Sequence, residues 1–254
     1  MSDDPKAAPA PLLWLVNIAR HLTGDSTAPI DLPQLLQSLC VELEFCPDAK
    51  TPVVAKPTSR TYKVVLPGTC EPEELSNRQR FSVAHELAHV LLDYQYAARP
   101  TDEAEHREIE RWCDHFASEL LVPEKAIADF HARTWREMYD RISALAAMYQ
   151  VSMEVVARRV ARRKPTLVLA RLTEATNRRG ERVLRVQWCT GDKQGLRLHR
   201  GTHISRDHVL AGFLDELGRV SSKRVKVCGR IVHFHAIPRG SKALLVAANT
   251  AHST

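Results

Sequence analysis

No two of the chain's six cysteines form a Cys-x-x-Cys pair. Cys40, Cys46, Cys70, Cys113, Cys189 and Cys228 are scattered, which suits a reducing compartment. The pattern argues against both a disulfide framework and an all-cysteine zinc knuckle. No apolar run approaches the ~20 residues that a bilayer crossing needs. The opening "MSDDPKAAPAPLLWLVNIAR" is acidic and proline-rich, with too short an apolar stretch for a secretory signal. Internal repeats and low-complexity tracts are missing as well. These absences lead to the expectation of a soluble, cytoplasmic protein with no membrane partner. At 254 residues it is long enough for a full core and two domains.

What is present is unevenly distributed. The net charge of +6 conceals two opposed halves. Residues 1–157 hold 15 Lys/Arg against 24 Asp/Glu, whereas residues 158–254 hold 21 against 6. Halves of opposite sign are expected to meet different partners.

The first residues, 1–11, read as a disordered N-terminus. "LLWLVNIARHL" and "DLPQLLQSLCVEL" then read as short amphipathic helices, with Asp31 as N-cap and Pro33 in the first turn. "VELEFC" and "TYKVVLPG" read as strands. In "SNRQRFSVAHELAHVLLDY", Ser76 and Gln79 make a capping box for a helix whose apolar stripe is Phe81, Ala84, Ala88 and Leu91. His85, Glu86 and His89 lie off that stripe. A second helix, "ARPTDEAEHREIERWCDHFASELLVP", is expected to be capped by Thr101, to bury Ile109, Cys113, Phe116 and Leu120, and to stop at Pro123. Three shorter helical stretches follow. Beyond Pro165 the pattern changes to a hairpin closed around Arg179-Gly180, a helix in "SRDHVLAGFLDELG", and strands in "KRVKVCGRIVHFHAI" and "KALLVAA". A domain boundary is expected near 164–166.

The chemistry concentrates in "HELAH". Positions i and i+4 of a helix lie one turn apart on one face, so His85 and His89 can aim their imidazoles at one cation. Glu86, about 100° round the helix, lies beside that point, where a carboxylate can take a proton from water. A hydrolytic zinc site needs a third protein ligand and an open position. Glu110 is the candidate, 21 residues after His89 on the next helix, and Asp114 one turn later can hold a histidine N–H. Glu110 and Asp114 are equally the residues of a plain solvated face. The two-histidine helix beside them tips the reading towards metal. Two imidazoles and a carboxylate suit Zn2+, with Mn2+ as the alternative. Tyr62, Tyr94 and His106 are the candidates for an oxyanion stabiliser. "YKVVLPG" is the candidate edge strand for pairing with an extended substrate.

"RFSVAHELAHVLLD" followed by "EIERWCDHFASELLVP" resembles the ImmA/IrrE family of metallo-endopeptidases over roughly residues 30–165. The resemblance implies an α+β, zincin-like fold with a mainly helical core and a small sheet. It also implies that His85, His89 and Glu110 are zinc ligands and Glu86 the general base. Asp114 stands where many members have Asn. The implied domains are a zinc metallopeptidase domain at 12–165 and a smaller, basic α/β domain at 166–254, GAF-like and sensory in some relatives. The implied activity is cleavage of a helix-turn-helix transcriptional repressor, releasing stress, DNA-damage or mobile-element genes. The alternative is a non-cleaving metal- or DNA-binding regulator on a peptidase fold.

Residues 136–164 also have a helix-turn-helix look, although Gln150 stands where glycine is common. Arg158, Arg159, Arg162, Arg163 and Lys164 crowd two turns and are the candidates for weak contact with DNA phosphates. The bland reading of that cluster is a solvated cationic face. His233 and His235 alternate on a strand and share a face, more in keeping with a structural role than with a second site.

Overall fold

A computed structural model describes residues 10–23, 29–58, 61–69, 74–96, 102–128, 130–132, 134–163, 167–190, 200–205, 207–208, 210–216, 219, 221–227, 230–238 and 243–249. The chain is mixed α+β and divides into two compact units. One comprises Met1–Asp129 with Ala144–Val156, the other Phe130–Ser143 with Ala157–Thr254.

In the first unit, helix α1 (Ala10–Leu22) starts two residues before its apolar run. Helix α2 (Leu32–Ser38) is capped as expected: Asp31 accepts from the Gln34 amide at 2.9 Å, and Leu32, Leu35 and Leu36 are buried. Strands β1 (Val41–Cys46), β2 (Val53–Ala55) and β3 (Tyr62–Pro67) form a sheet of order β1-β3-β2. β3 runs parallel to β1 and antiparallel to β2. Its alternation is clean, with Tyr62, Val64 and Leu66 buried. On the other face, Lys63 lies 2.6 Å from Glu44 and 3.4 Å from Glu42 of β1. "YKVVLPG" is therefore the central strand, its backbone engaged on both sides, and not the edge strand expected from the sequence. The sheet margins are β1 and β2, and the three residues of β2 carry too little pattern to announce themselves.

Helix α3 (Asn77–Tyr96) begins with the expected capping box: the Ser76 amide donates to Gln79 Oε1 at 3.0 Å and the Gln79 amide to Ser76 Oγ at 3.3 Å. Its buried apolar residues are Val83, Ala84, Leu87, Ala88, Val90 and Leu92, a broader stripe than the sequence suggests, with Phe81 and Leu91 only half-buried. Helix α4 (Glu103–Leu121) packs against α3 and buries Ile109, Cys113, Phe116 and Leu120 as expected, along with Ala117, Ser118 and Leu121. Its cap is Asp102, which accepts from the Glu105 amide at 2.8 Å; Thr101 lies outside the described residues.

The last carbonyls of a helix have no partner within it. Here Arg20 of α1 supplies one. Its buried guanidinium donates from Nε to the Leu120 carbonyl at 2.9 Å and from Nη2 to that of Leu121 at 3.3 Å. Three helices follow: α5 (Glu124–Ala128), α6 (Trp135–Met148) and α7 (Met153–Arg163). Between α6 and α7, Gln150 takes a φ of +50°, the left-handed backbone that a glycine would adopt at lower cost.

In the second unit, β4 (Leu167–Thr176), β5 (Arg182–Thr190), β6 (His203–Ile204), β7 (Ser221–Val227), β8 (Arg230–Pro238) and β9 (Ala243–Asn249) form an antiparallel sheet of order β6-β5-β4-β9-β8-β7. The β4–β5 hairpin closes where expected, Gly180 having a φ of +78°. One core gathers Val168, Leu172, Leu184, Val186, Leu210, Phe213 and Phe234. Where a helix is expected over 205–218, the described residues form a 3-10 turn at Ala211–Glu216, which buries Phe213 fully and leaves Leu214 partly buried. No helix among the described residues is long and apolar enough to cross a membrane.

Replacing Arg20 by Met keeps most of the packing but strips two α4 carbonyls of a charged donor. The change is expected to lower the free energy of urea unfolding by about 2 kcal/mol. An unchanged midpoint would show that the cap contributes nothing.

Candidate metal centre

Helix α3 brings His85, Glu86 and His89 to the side of the helix that is only half-buried, between the buried residues and solvent. The imidazole centroids of His85 and His89 are 5.1 Å apart. From α4, the Glu110 carboxylate meets both rings: Oε2 lies 3.2 Å from His85 Nε2, and Oε1 lies 3.2 Å from His89 Nε2. One turn on, Asp114 Oδ1 lies 3.0 Å from His85 Nδ1. Four of the residues singled out from sequence (His85, His89, Glu110 and Asp114) thus converge, with Glu86 next to His85 on the same helix.

This arrangement is short of positive charge. If the Nδ1–H of His85 donates to Asp114, the Nε2 of a neutral ring presents a lone pair to the Glu110 carboxylate, and lone pair faces lone pair. A proton or a cation relieves the repulsion. The local charges reflect that demand. Burial alone would lower the His85 pKa, but the hydrogen bond and charge of Asp114, with the charges of Glu110 and Glu86, raise it above the ordinary value. Burial and the charge of His85 push His89 the other way, and His106 adds to that, against the pull of Glu110. Burial also holds the Glu86 carboxyl above its ordinary range, opposed by His85 and reinforced by Glu110.

The donor set fits a metal ion. Two ligands 2.0–2.1 Å from a tetrahedral zinc are separated by about 3.4 Å. The two 3.2 Å nitrogen–oxygen separations are close to edges of such a tetrahedron. A ring nitrogen held by a carboxylate on its far side is the usual support for a ligating histidine. Cys113, read from sequence only as a core residue, is also close. Among the described residues, the donor atoms of His85, His89 and Cys113 all lie within 4.8 Å of one another. Burial pushes the Cys113 thiol well up, and the neighbouring carboxylates add to the shift. The signal that could have found it was its place three residues after Glu110.

The three oxyanion candidates fare differently. Tyr62 is 2% exposed and its hydroxyl donates to Asp93, one turn beyond His89 on α3. Lys56 closes the cluster, 2.9 Å from Asp93 and 4.7 Å above the Tyr62 ring. This cluster ties the central strand to α3 and commits the phenol elsewhere. The Tyr94 side chain lies outside the described residues. His106 is exposed, one turn before Glu110. Of the basic cluster, Arg159 is 3% exposed and so not on an accessible face. Arg158 is half-buried, Arg162 and Arg163 are exposed, and Lys164 lies outside the described residues. His233 and His235 lie on β8, their side chains outside the described residues.

Comparison with known proteins places this geometry. The IrrE N-terminal-like domain, a peptidase family, matches residues 41–161, a span that contains the whole cluster. No curated protein matches the chain. Among solved structures, a Mycobacterium tuberculosis transcriptional regulator shares the fold with a TM-score of 0.56 and 15% identity, over 94% of this chain and 76% of that one.

Replacing Asp114 by Ala leaves the three donor side chains in place but frees the His85 ring. Zn2+ affinity, measured by competition with a chromophoric chelator, is expected to fall about 10- to 100-fold. Equal affinity in the variant would remove the orienting role.

Proposed function

We propose that this chain, which carries an ImmA/IrrE-family metallopeptidase-like domain at residues 41–161, is a zinc-dependent endopeptidase. The observation that carries the proposal is the approach of one Glu110 carboxylate to both imidazoles of the His85/His89 pair, with Glu86 alongside. His85, His89 and Glu110 would hold the ion and Asp114 would fix the His85 ring. Zinc, when bound, supplies the Lewis acidity that makes water nucleophilic near neutral pH and polarises a carbonyl. Glu86 accepts the proton of the attacking water and passes it to the departing amine. His106, exposed one turn before Glu110, and Tyr94 are the remaining candidates to donate to the developing oxyanion. An extended substrate would add to the margin of the small sheet at β2. We take the peptidase domain to extend over 12–165 and the basic residues 166–254 to form a sensory module.

The substrate we assign is a DNA-binding transcriptional repressor in the cytoplasm, whose cleavage would release stress or DNA-damage genes. The basic excess beyond residue 157 supports weak, salt-dependent attraction to the DNA on which such a repressor sits. Arg162 and Arg163 are the accessible members of the cluster described here. The fold shared with a transcriptional regulator favours a second reading, in which the chain regulates without cutting.

Incubation with candidate repressors separates the two. The peptidase reading expects fragments that disappear with a chelator and return with Zn2+. Glu86→Gln should bind Zn2+ as tightly as the unaltered chain and cut at least about a hundredfold more slowly. Fragments formed at the normal rate by that variant would refute the general-base role. Binding of the repressor or its DNA without metal-dependent fragments would favour the second reading.

A further inference from the structure

The thiol of Cys113 has no part in a three-ligand hydrolytic site, yet it lies next to one. Cys113 follows Glu110 by three residues on α4, so the two share a helix face. Its side chain is fully buried, and its Sγ lies within 4.8 Å of a ring nitrogen of both His85 and His89. Packing with Ile109 and Phe116 accounts for an apolar residue here, but any small apolar side chain would serve that end. A sulfur facing two imidazoles is a donor set.

We propose that Cys113 is a fourth protein ligand to the metal centre, recruited by thiophilic cations such as Zn2+, Co2+ and Cd2+ and left aside by Mn2+. This rests on the reading of His85, His89 and Glu110 as metal-binding. Thiolate is the soft donor of the four and selects for soft or borderline ions, whereas carboxylate suits manganese. A tetrahedral zinc with a 2.3 Å bond to sulfur and 2.0–2.1 Å bonds to nitrogen sets these atoms about 3.6 Å apart. Closing from within 4.8 Å is a movement of about 1 Å, within reach of a side-chain adjustment on α4. On ligation the sulfur–metal bond replaces the S–H bond and the proton goes to the buffer.

The consequence is regulatory. His85, His89, Glu110 and Cys113 together make a closed set, and a closed tetrahedral site leaves no corner for water. Zinc held by all four donors is therefore latent, and the cutting form is the one in which water takes the corner in place of Cys113. The ligand set serves as a switch on the same site, with no second metal needed.

Cobalt reports the ligand directly. The full chain, stripped by chelator and loaded with Co2+, is expected to show the intense visible bands of a four-coordinate site and a near-ultraviolet thiolate-to-cobalt charge-transfer band. Cys113→Ala should keep the visible bands, lose the near-ultraviolet band, and weaken Cd2+ binding at least about tenfold while Mn2+ affinity stays the same. Cys113→Ser provides the same spectral test should the alanine variant fail to fold. Visible bands without the near-ultraviolet band in the unaltered chain would overturn the thiol ligand and leave the metal site standing. A charge-transfer band that persists in both variants would also overturn it, by assigning the thiolate to another cysteine. No uptake of Co2+ at all would overturn the metal-site reading itself.

Discussion

A single carboxylate set against two imidazole nitrogens is the constraint around which the first unit is organised. Glu110 lies 3.2 Å from the Nε2 atoms of both His85 and His89, and Asp114 holds the far nitrogen of His85. With the Nδ1–H of a neutral His85 given to Asp114, its Nε2 lone pair faces Glu110, and a proton or a cation is needed there. The surrounding fold keeps these side chains there regardless. The Tyr62–Asp93–Lys56 cluster fixes α3 against the central strand, Arg20 caps the end of α4, and the buried stripes of both helices set their faces. A cluster held in place by packing elsewhere suits a preorganised cation site.

Much of this could be read from the residues in order. The i, i+4 histidines, the adjacent glutamate and the carboxylates one turn apart on the next helix are statements about helix geometry, and helix geometry is local. So are the caps. Asp31 and the Ser76–Gln79 box appear as written because a side chain reaching an amide three residues away depends on nothing distant. What the sequence could not supply was set by partners far along the chain. β3 reads like any half-buried strand, and only the pairing with the three-residue β2 makes it central. Arg159 reads like its neighbours in a basic run and is the buried one among those described. Cys113 fits an apolar stripe equally well whether or not a histidine pair lies opposite. The 205–218 segment has helical periodicity, but among its described residues Leu210 and Phe213 are the buried large apolar ones and the helical element is a 3-10 turn.

The second unit contributes a different kind of surface. Its antiparallel sheet buries one apolar core, while the chain beyond residue 157 carries a strong cationic excess. Opposite charge on the two halves means that partners of opposite charge can be attracted to different parts of the same molecule. It is a matter of encounter, while the candidate metal centre lies on α3 and α4.

The central claim is that the cluster of His85, His89 and Glu110 is incomplete without a cation. Titration of the chelator-stripped chain with Zn2+, followed by calorimetry in buffers of different ionisation enthalpy, tests it most directly. The account predicts one equivalent bound per chain with release of protons, because the charge that protons supplied to the cluster is replaced by the ion. A chain that takes up no zinc, or takes it up unchanged after His85 and His89 are both replaced by Ala, would contradict it.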